Sequence, residues 1–159
     1  MKVLIVSDTH RMHRNLETVI ERTKDVDLLI HLGDVEGGED YIRALVDYPV
    51  KIVSGNNDFF SDLPREEEFD LEGRHIFLTH GHPYYVSIGE EYLKDEARSR
   101  GADIVMYGHT HKPAYTEEDG LIVLNPGSIA YPRQIGRKST YMIMEIDEKS
   151  HPNIELMFV

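Results

Sequence analysis

The chain has 159 residues, and 17 Lys and Arg against 29 Asp and Glu give a net charge of −12 with His neutral. That balance excludes a general binder of long nucleic acids or anionic membranes, both of which need surplus Lys and Arg. The absence of cysteine excludes disulfides, thiolate nucleophiles and cysteine-held zinc or iron–sulfur centres.

Short apolar runs rich in Val and Ile read as strands buried on both faces, at Lys2–Val6, Leu28–Leu32 and Val50–Val53. Between them, Asn15 is placed to cap a helix that gathers Leu16, Val19 and Ile20 on one face. A second helix over Glu39–Asp47 collects Ile42, Leu45 and Val46 and is stopped by Pro49. This alternation is the grammar of a parallel sheet. Further on, Glu66-Glu67-Glu68 reads as a solvated acidic turn, and Phe69–Leu71 and His75–Thr79 flank Glu72-Gly73-Arg74 at hairpin spacing. A helix over Ile88–Arg100 is expected to end at Gly101, ahead of a buried strand at Asp103–Tyr107. Strands at Ala114–Thr116, Leu121–Leu124, Thr140–Ile146 and Ile154–Val159 follow, the last two joined as an antiparallel hairpin through Lys149 and Ser150. The expected class is α/β: two sheets packed together with helices outside, in one domain spanning 1–159, with about 8,000 Å² left exposed. No stretch is long and apolar enough for a membrane span, and Met1–His10 turns polar too early for a leader, so a cytoplasmic protein is expected.

Nine histidines stand out, and five of them fall in three short clusters. Ser7-Asp8-Thr9-His10, Gly33-Asp34 and Gly55-Asn56-Asn57-Asp58 follow the first three strands. Thr79-His80-Gly81-His82 and Gly108-His109-Thr110-His111 follow two later ones. C-terminal ends of parallel strands share one edge, so these groups are expected to converge. Each has an ordinary reading alone: Asp8 and Asp34 as caps or turn residues, Asn56 as half of a turn pair, His80 or His109 as a hydrogen-bonded histidine. Together, two carboxylates, an amide and four imidazoles are enough donors for two divalent transition ions. In a regular strand Asp8 and His10 point the same way, as do His109 and His111, although a turn between the latter would send them to neighbouring ions. The glycines at 33, 55, 81 and 108 allow close approach or positive φ.

In this order D-x-H, G-D, G-N-x-D, T-H-G and G-H-T-H, with Asn125-Pro126-Gly127-Ser128 and Pro132-Arg133, resemble the calcineurin-like metallophosphoesterase superfamily, in particular its small single-domain phosphodiesterases. The resemblance implies a two-sheet β-sandwich of mixed strands flanked by helices, in four αββα layers, with a dinuclear centre at the strand ends. By motif, one ion takes Asp8, His10, Asp34 and His111; the other takes Asp34, Asn56, His80 and His109, with Asp34 bridging. Manganese is the first expectation, with nickel, iron, zinc or cobalt as alternatives. Many relatives carry a histidine general acid where this chain has Asn57, which transfers no proton at neutral pH. Asp58, which would orient that imidazole, is then left to brace the loop.

The expected activity is hydrolysis of a small phosphodiester or nucleotide by a hydroxide held between the ions, with Asp34, Asn57 and Asp58 as the residues nearest the chemistry. Losing the acid costs most on poor leaving groups, so aryl diesters should be preferred. A phosphomonoesterase and a non-catalytic protein-binding scaffold of the same fold are the alternatives; the retromer subunit of this fold has lost a site histidine, whereas all seven positions here keep metal-competent side chains. Arg133, Tyr84, Tyr85 and His82 carry no assigned role at this point, and a homo-oligomer through the C-terminal strand stays open.

Overall fold

Alternation along the central strands decides the layering. In β1 (Lys2–Val6), Val3 and Ile5 face one way and Leu4 and Val6 the other, and all four are fully buried. A strand buried on both sides needs cover on both, and the computed structural model, which describes residues 1–159, supplies it. One sheet runs β10 (Asn153–Phe158), β9 (Thr140–Glu145), β1, β2 (Leu28–His31), β3 (Val50–Ile52). The other runs β4 (Glu66–Leu71), β5 (Arg74–Thr79), β6 (Ile104–Met106), β8 (Leu121–Pro126), β7 (Pro113–Glu118). Both are mixed. β1, β2 and β3 are mutually parallel with β9 antiparallel to β1, while β5, β6 and β8 are parallel with β4 and β7 antiparallel at the edges.

Three apolar layers follow. Val3, Ile5 and Ile30 meet Leu78, Met106 and Leu124 between the sheets. Leu4, Val6 and Leu29 pack outward on Leu16 and Val19 of α1 (Arg14–Arg22) and Ile42 of α2 (Glu39–Ala44). Phe77, Val105 and Val123 pack outward on Leu93 and Ala97 of α3 (Glu91–Ser99). The result is a helix–sheet–sheet–helix stack with 8068 Å² of accessible surface, as the scaling argument required.

Several expectations need correcting. Asn15 lies inside α1, whose cap position is His13; its side-chain amide donates instead to the Ile129 carbonyl at 2.7 Å and Ser139 Oγ at 3.2 Å, tying the helix to a distant loop. Glu66-Glu67-Glu68 is not a turn but the start of β4. Two half-buried cations hold it there: Arg100 donates to Glu66 at 2.8 Å and to Glu68 at 2.7 Å, and Lys51 pairs with Glu67. α3 begins at Glu91 rather than Ile88, and α2 stops at Ala44, well ahead of Pro49. His31 is fully buried. Its Nδ1 accepts from the Gly33 N–H and its Nε2 faces Thr9 Oγ1 at 3.1 Å. Burial drives its pKa down to about 3, so the ring is neutral.

Candidate metal centre

All the parallel strands of both sheets end on the same side of the sandwich, and the five motif clusters sit there. The chain leaves these strands through unusually strained turns. Asp8, His10, Asp34, His109 and His111 all have left-handed backbone, with φ between 44° and 67°. Non-glycine residues hold such conformations only where surrounding contacts enforce them, and such sites are commonly functional. Convergence of Asp8 with His10 is therefore made by a turn, not by strand alternation as the i, i+2 spacing implied.

The enforcing contacts are on main chain. Asp58 accepts backbone N–H groups from Asp34 at 2.8 Å, Glu36 at 2.6 Å and Gly55 at 2.6 Å. It thereby clamps the loops after β2 and β3 together. Ser128 Oγ donates to the Asp8 carbonyl at 2.9 Å, and Asn125 Nδ2 donates to the Gly108 carbonyl at 2.8 Å. Two glycines are demanded by proximity: a Cβ on Gly55 would collide with the Asp34 carboxylate, and one on Gly108 with the Ser7 hydroxyl.

Two donor sets result. Asp8, His10, Asp34 and His111 each offer one atom within 4.8 Å of the others. His111 Nε2 lies 3.2 Å from Asp8 Oδ1 and 3.1 Å from His10 Nε2, and His10 Nε2 lies 3.7 Å from Asp34 Oδ2. On the other side of Asp34, His80 Nε2 is 3.5 Å from the same Oδ2 and 3.1 Å from Asn56 Oδ1, which is 2.9 Å from His109 Nδ1. His109 and His111 thus part company, one to each set. Asp34 stands between the sets while accepting from Asn57 N at 2.9 Å and Asn57 Nδ2 at 2.8 Å.

Three imidazoles are oriented from behind. His80 Nδ1 donates to the Leu32 carbonyl at 2.6 Å, and His111 Nδ1 donates to the Tyr131 carbonyl at 2.7 Å. His10 Nδ1 lies 2.6 Å from Glu36 Oε1. In each ring the second nitrogen, Nε2, is the one aimed inward. Burial alone would raise the Asp8 and Asp34 carboxyls, but His111 and His80 beside Asp8, and His80 with Asn57 beside Asp34, hold both below the usual carboxylate range. Burial would lower His80, yet Asp34 and Asp8 hold it above the ordinary histidine value. His109 is pushed down by burial and by His80.

An open cavity of about 820 Å³ covers this floor, lined by His10, His111, Glu36 and the Ala130–Arg133 segment with Arg137. His82 lines a separate cavity of about 350 Å³ beside Asn56, with its Nδ1 buried and unpartnered. Tyr84 is turned into the fold against Phe77, and Tyr85 stacks edge-on with Tyr92 at 5.7 Å; neither lines the cavity over His10 and His111. Sequence reasoning missed Glu36, which carries the i+2 spacing from Asp34 that could have flagged it. It also missed the Leu32 and Tyr131 carbonyls, which no side-chain pattern announces.

Comparison with known proteins bears on the family and the fold. Residues 1–149 match the model of the calcineurin-like phosphoesterase superfamily domain. The chain is 36% identical to the probable metallophosphoesterase YsnB of Bacillus subtilis over 148 residues, covering 92% of this chain and 85% of that one. It is 32% identical to the phosphodiesterase MJ0936 of Methanocaldococcus jannaschii, covering 80% and 83%. Among solved structures, a predicted phosphoesterase from Streptococcus pneumoniae superposes with a TM-score of 0.85 at 29% identity, covering 99% and 88%. Vps29 of Entamoeba histolytica, crystallised with zinc, superposes at 0.77 and 25% identity, covering 99% of each chain. The match over residues 1–149 and the identity to these relatives settle the family, and this chain belongs to the calcineurin-like phosphoesterase superfamily.

Proposed function

We propose that the protein is a dinuclear metal-dependent phosphodiesterase acting on small phosphodiesters. The observation that carries this reading is the position of Asp34, whose carboxylate faces a His10–His111–Asp8 set on one side and a His80–Asn56–His109 set on the other. The residues fit divalent cations. Asp8 Oδ1 is buried without a hydrogen-bond partner, and His10 Nε2 and His111 Nε2 face each other at 3.1 Å although each ring's Nδ1 is already engaged outward. Both Nε2 atoms are thereby turned toward the same point beside Asp8 Oδ1, an arrangement that a cation turns into coordination.

Asp8, His10, Asp34 and His111 would hold one ion and Asp34, Asn56, His80 and His109 the other, with manganese as first choice. Bound divalent ions supply Lewis acidity: a more acidic water and compensation for charge on the phosphoryl oxygens. The chain does the rest. Leu32, Tyr131 and Glu36 fix the imidazole orientations, Asp58 fixes the loop that carries Asp34, and Asn57 holds the Asp34 carboxylate by two hydrogen bonds. Asn57 also leaves the leaving group without an imidazole proton donor, which directs the enzyme to diesters with acidic leaving groups. The relation to a phosphodiesterase supports a diester over a monoester.

The test is metal content per chain together with hydrolysis of bis(p-nitrophenyl) phosphate in Mn²⁺. Two ions per chain and turnover are expected, with p-nitrophenyl diesters cleaved faster than alkyl diesters. Two bound ions with no turnover on any diester would favour the second reading, a binding scaffold, which the likeness to Vps29 keeps in view. A monoester preferred over its diester would instead make it a phosphomonoesterase.

A further inference from the structure

The cavity over His10 and His111 has an asymmetric wall. Its one carboxylate, Glu36, is occupied by His10 Nδ1 at 2.6 Å and by Arg11, 3.7 Å away. Arg133 and Arg137 line the same cavity, Arg133 also bordering an adjoining one beside Lys112, and neither guanidinium makes an ion pair or a hydrogen bond with any residue of the chain. In a protein with twelve more acidic than basic residues, this wall carries the opposite sign to the chain as a whole. Such a local inversion above a site that takes phosphate attracts a second anion.

The segment bearing these arginines is fixed to the site. The Arg133 N–H donates to the His111 carbonyl at 2.9 Å while the Tyr131 carbonyl accepts from His111 Nδ1, so the strap is pinned to this imidazole residue in both directions. Arg137 adopts left-handed backbone at φ 45°, and its N–H closes a turn on the Gln134 carbonyl at 3.0 Å. Gln134 in turn donates to the Lys138 carbonyl at 2.5 Å. Only Ala130 and Pro132 offer purely apolar lining, too little to select an apolar arm.

We propose that Arg133 and Arg137 form a second anion subsite, and that the preferred substrate is a small phosphodiester carrying a further phosphate on the arm lying along Tyr131–Arg137. This rests on the phosphodiesterase reading above and names the substrate class within it. Planar guanidinium forks bind phosphate oxygens in pairs, and two of them lining one cavity prefer an arm bearing a dianion to a neutral one.

A matched pair of chromogenic esters tests this: the p-nitrophenyl ester of thymidine 5′-phosphate and the same ester with an added 3′-phosphate. Scissile bond and leaving group are identical, so the ratio of kcat/KM values reads the second anion alone. The wild type is expected to favour the 3′-phosphorylated ester about tenfold, mainly through KM, with the preference shrinking as salt screens it. Arg133→Gln with Arg137→Gln brings the ratio close to one, and Arg133→Glu reverses it. Because both substrates are read on the same preparation, partial misfolding cannot mimic that change. A wild-type ratio near one, or a preference that survives in the double variant, overturns the subsite. Should neither ester be hydrolysed, the phosphodiesterase reading fails instead, and calorimetry decides the subsite. Thymidine 3′,5′-bisphosphate must then bind wild type more tightly than thymidine 5′-phosphate by a margin that the double variant lacks; equal binding to the wild type overturns it.

Discussion

The two ends of the sandwich use the same backbone conformation for opposite ends. Where chain enters the parallel strands, left-handed residues are Asp25 before β2, Glu72 and Gly73 before β5, Gly101 before β6, and Asp119 and Gly120 before β8. These are ordinary reversals, and a Cβ on Gly73, Gly101 or Gly120 would meet nothing within 4 Å. Where chain leaves the strands, left-handed geometry is taken by Asp8, His10, Asp34, His109 and His111, and is held there by carboxylate, hydroxyl and amide side chains bonded to main chain. A turn at the first end only has to reverse direction. At the second end it has to aim a side chain, and the surrounding bonds hold the strain that aiming creates.

The sharpest way to break this contrast is to neutralise the residue on which both donor sets depend. Asp34→Asn is expected to lower diester turnover by about 10³-fold or more and to reduce bound Mn²⁺, while the fold survives; turnover assays and metal content check it. Intact metal content and rate would leave the exit end no more special than the entry end.

Glycine substitutions compare the ends directly. Gly55→Ala pushes against the Asp34 carboxylate and is expected to cost about 3 kcal/mol of stability along with metal affinity. Gly120→Ala meets only backbone strain and should cost about 1 kcal/mol with turnover unchanged. Equal losses of activity in paired denaturation and rate measurements would erase the distinction.

The His31 ring sharpens the contrast from beneath the site. Its folded pKa of about 3 lies below the unfolded value of 6.5, so the unfolded chain binds the extra proton first and stability falls as pH drops below 6.5. At pH 5 that loss is about 2 kcal/mol for the metal-free protein, and His31→Gln should remove this part of the slope between pH 7 and 5. An unchanged slope in urea titrations would mean the ring is not held neutral. The smallest effect is expected from Asn57→His: alkyl diesters gain about tenfold while p-nitrophenyl diesters change little, a ratio that steady-state rates on both will show. A uniform gain on both esters would mean that position 57 acts on Asp34 alone.

Much of this was legible beforehand because the signals were chemical and local. Val–Ile runs marked the buried strands, and Lys2–Val6 was located to the residue. The five motif clusters identified the family and named the side chains that now face one another. What escaped was set by contacts across the sequence. Asn15 looked like a cap because its partners, Ile129 and Ser139, are more than a hundred residues away. Glu66-Glu67-Glu68 looked like a turn because Arg100 and Lys51, which make an acidic strand tolerable, lie 32 to 34 and 16 residues away, outside any local pattern. The orientation of His80 and His111 rests on the Leu32 and Tyr131 carbonyls, which carry no side-chain identity.

The double pinning of the 131–133 strap to His111 has a consequence for how this molecule can diversify. Insertions or deletions that reshape the strap also tilt the imidazole it anchors, so selectivity and reactivity cannot drift apart by changing loop length. On the proposed anion subsite, new preferences would come from exchanging the tips at 133 and 137 on an unaltered main chain. A designer seeking another substrate would therefore vary those two side chains first and keep the length of the strap fixed.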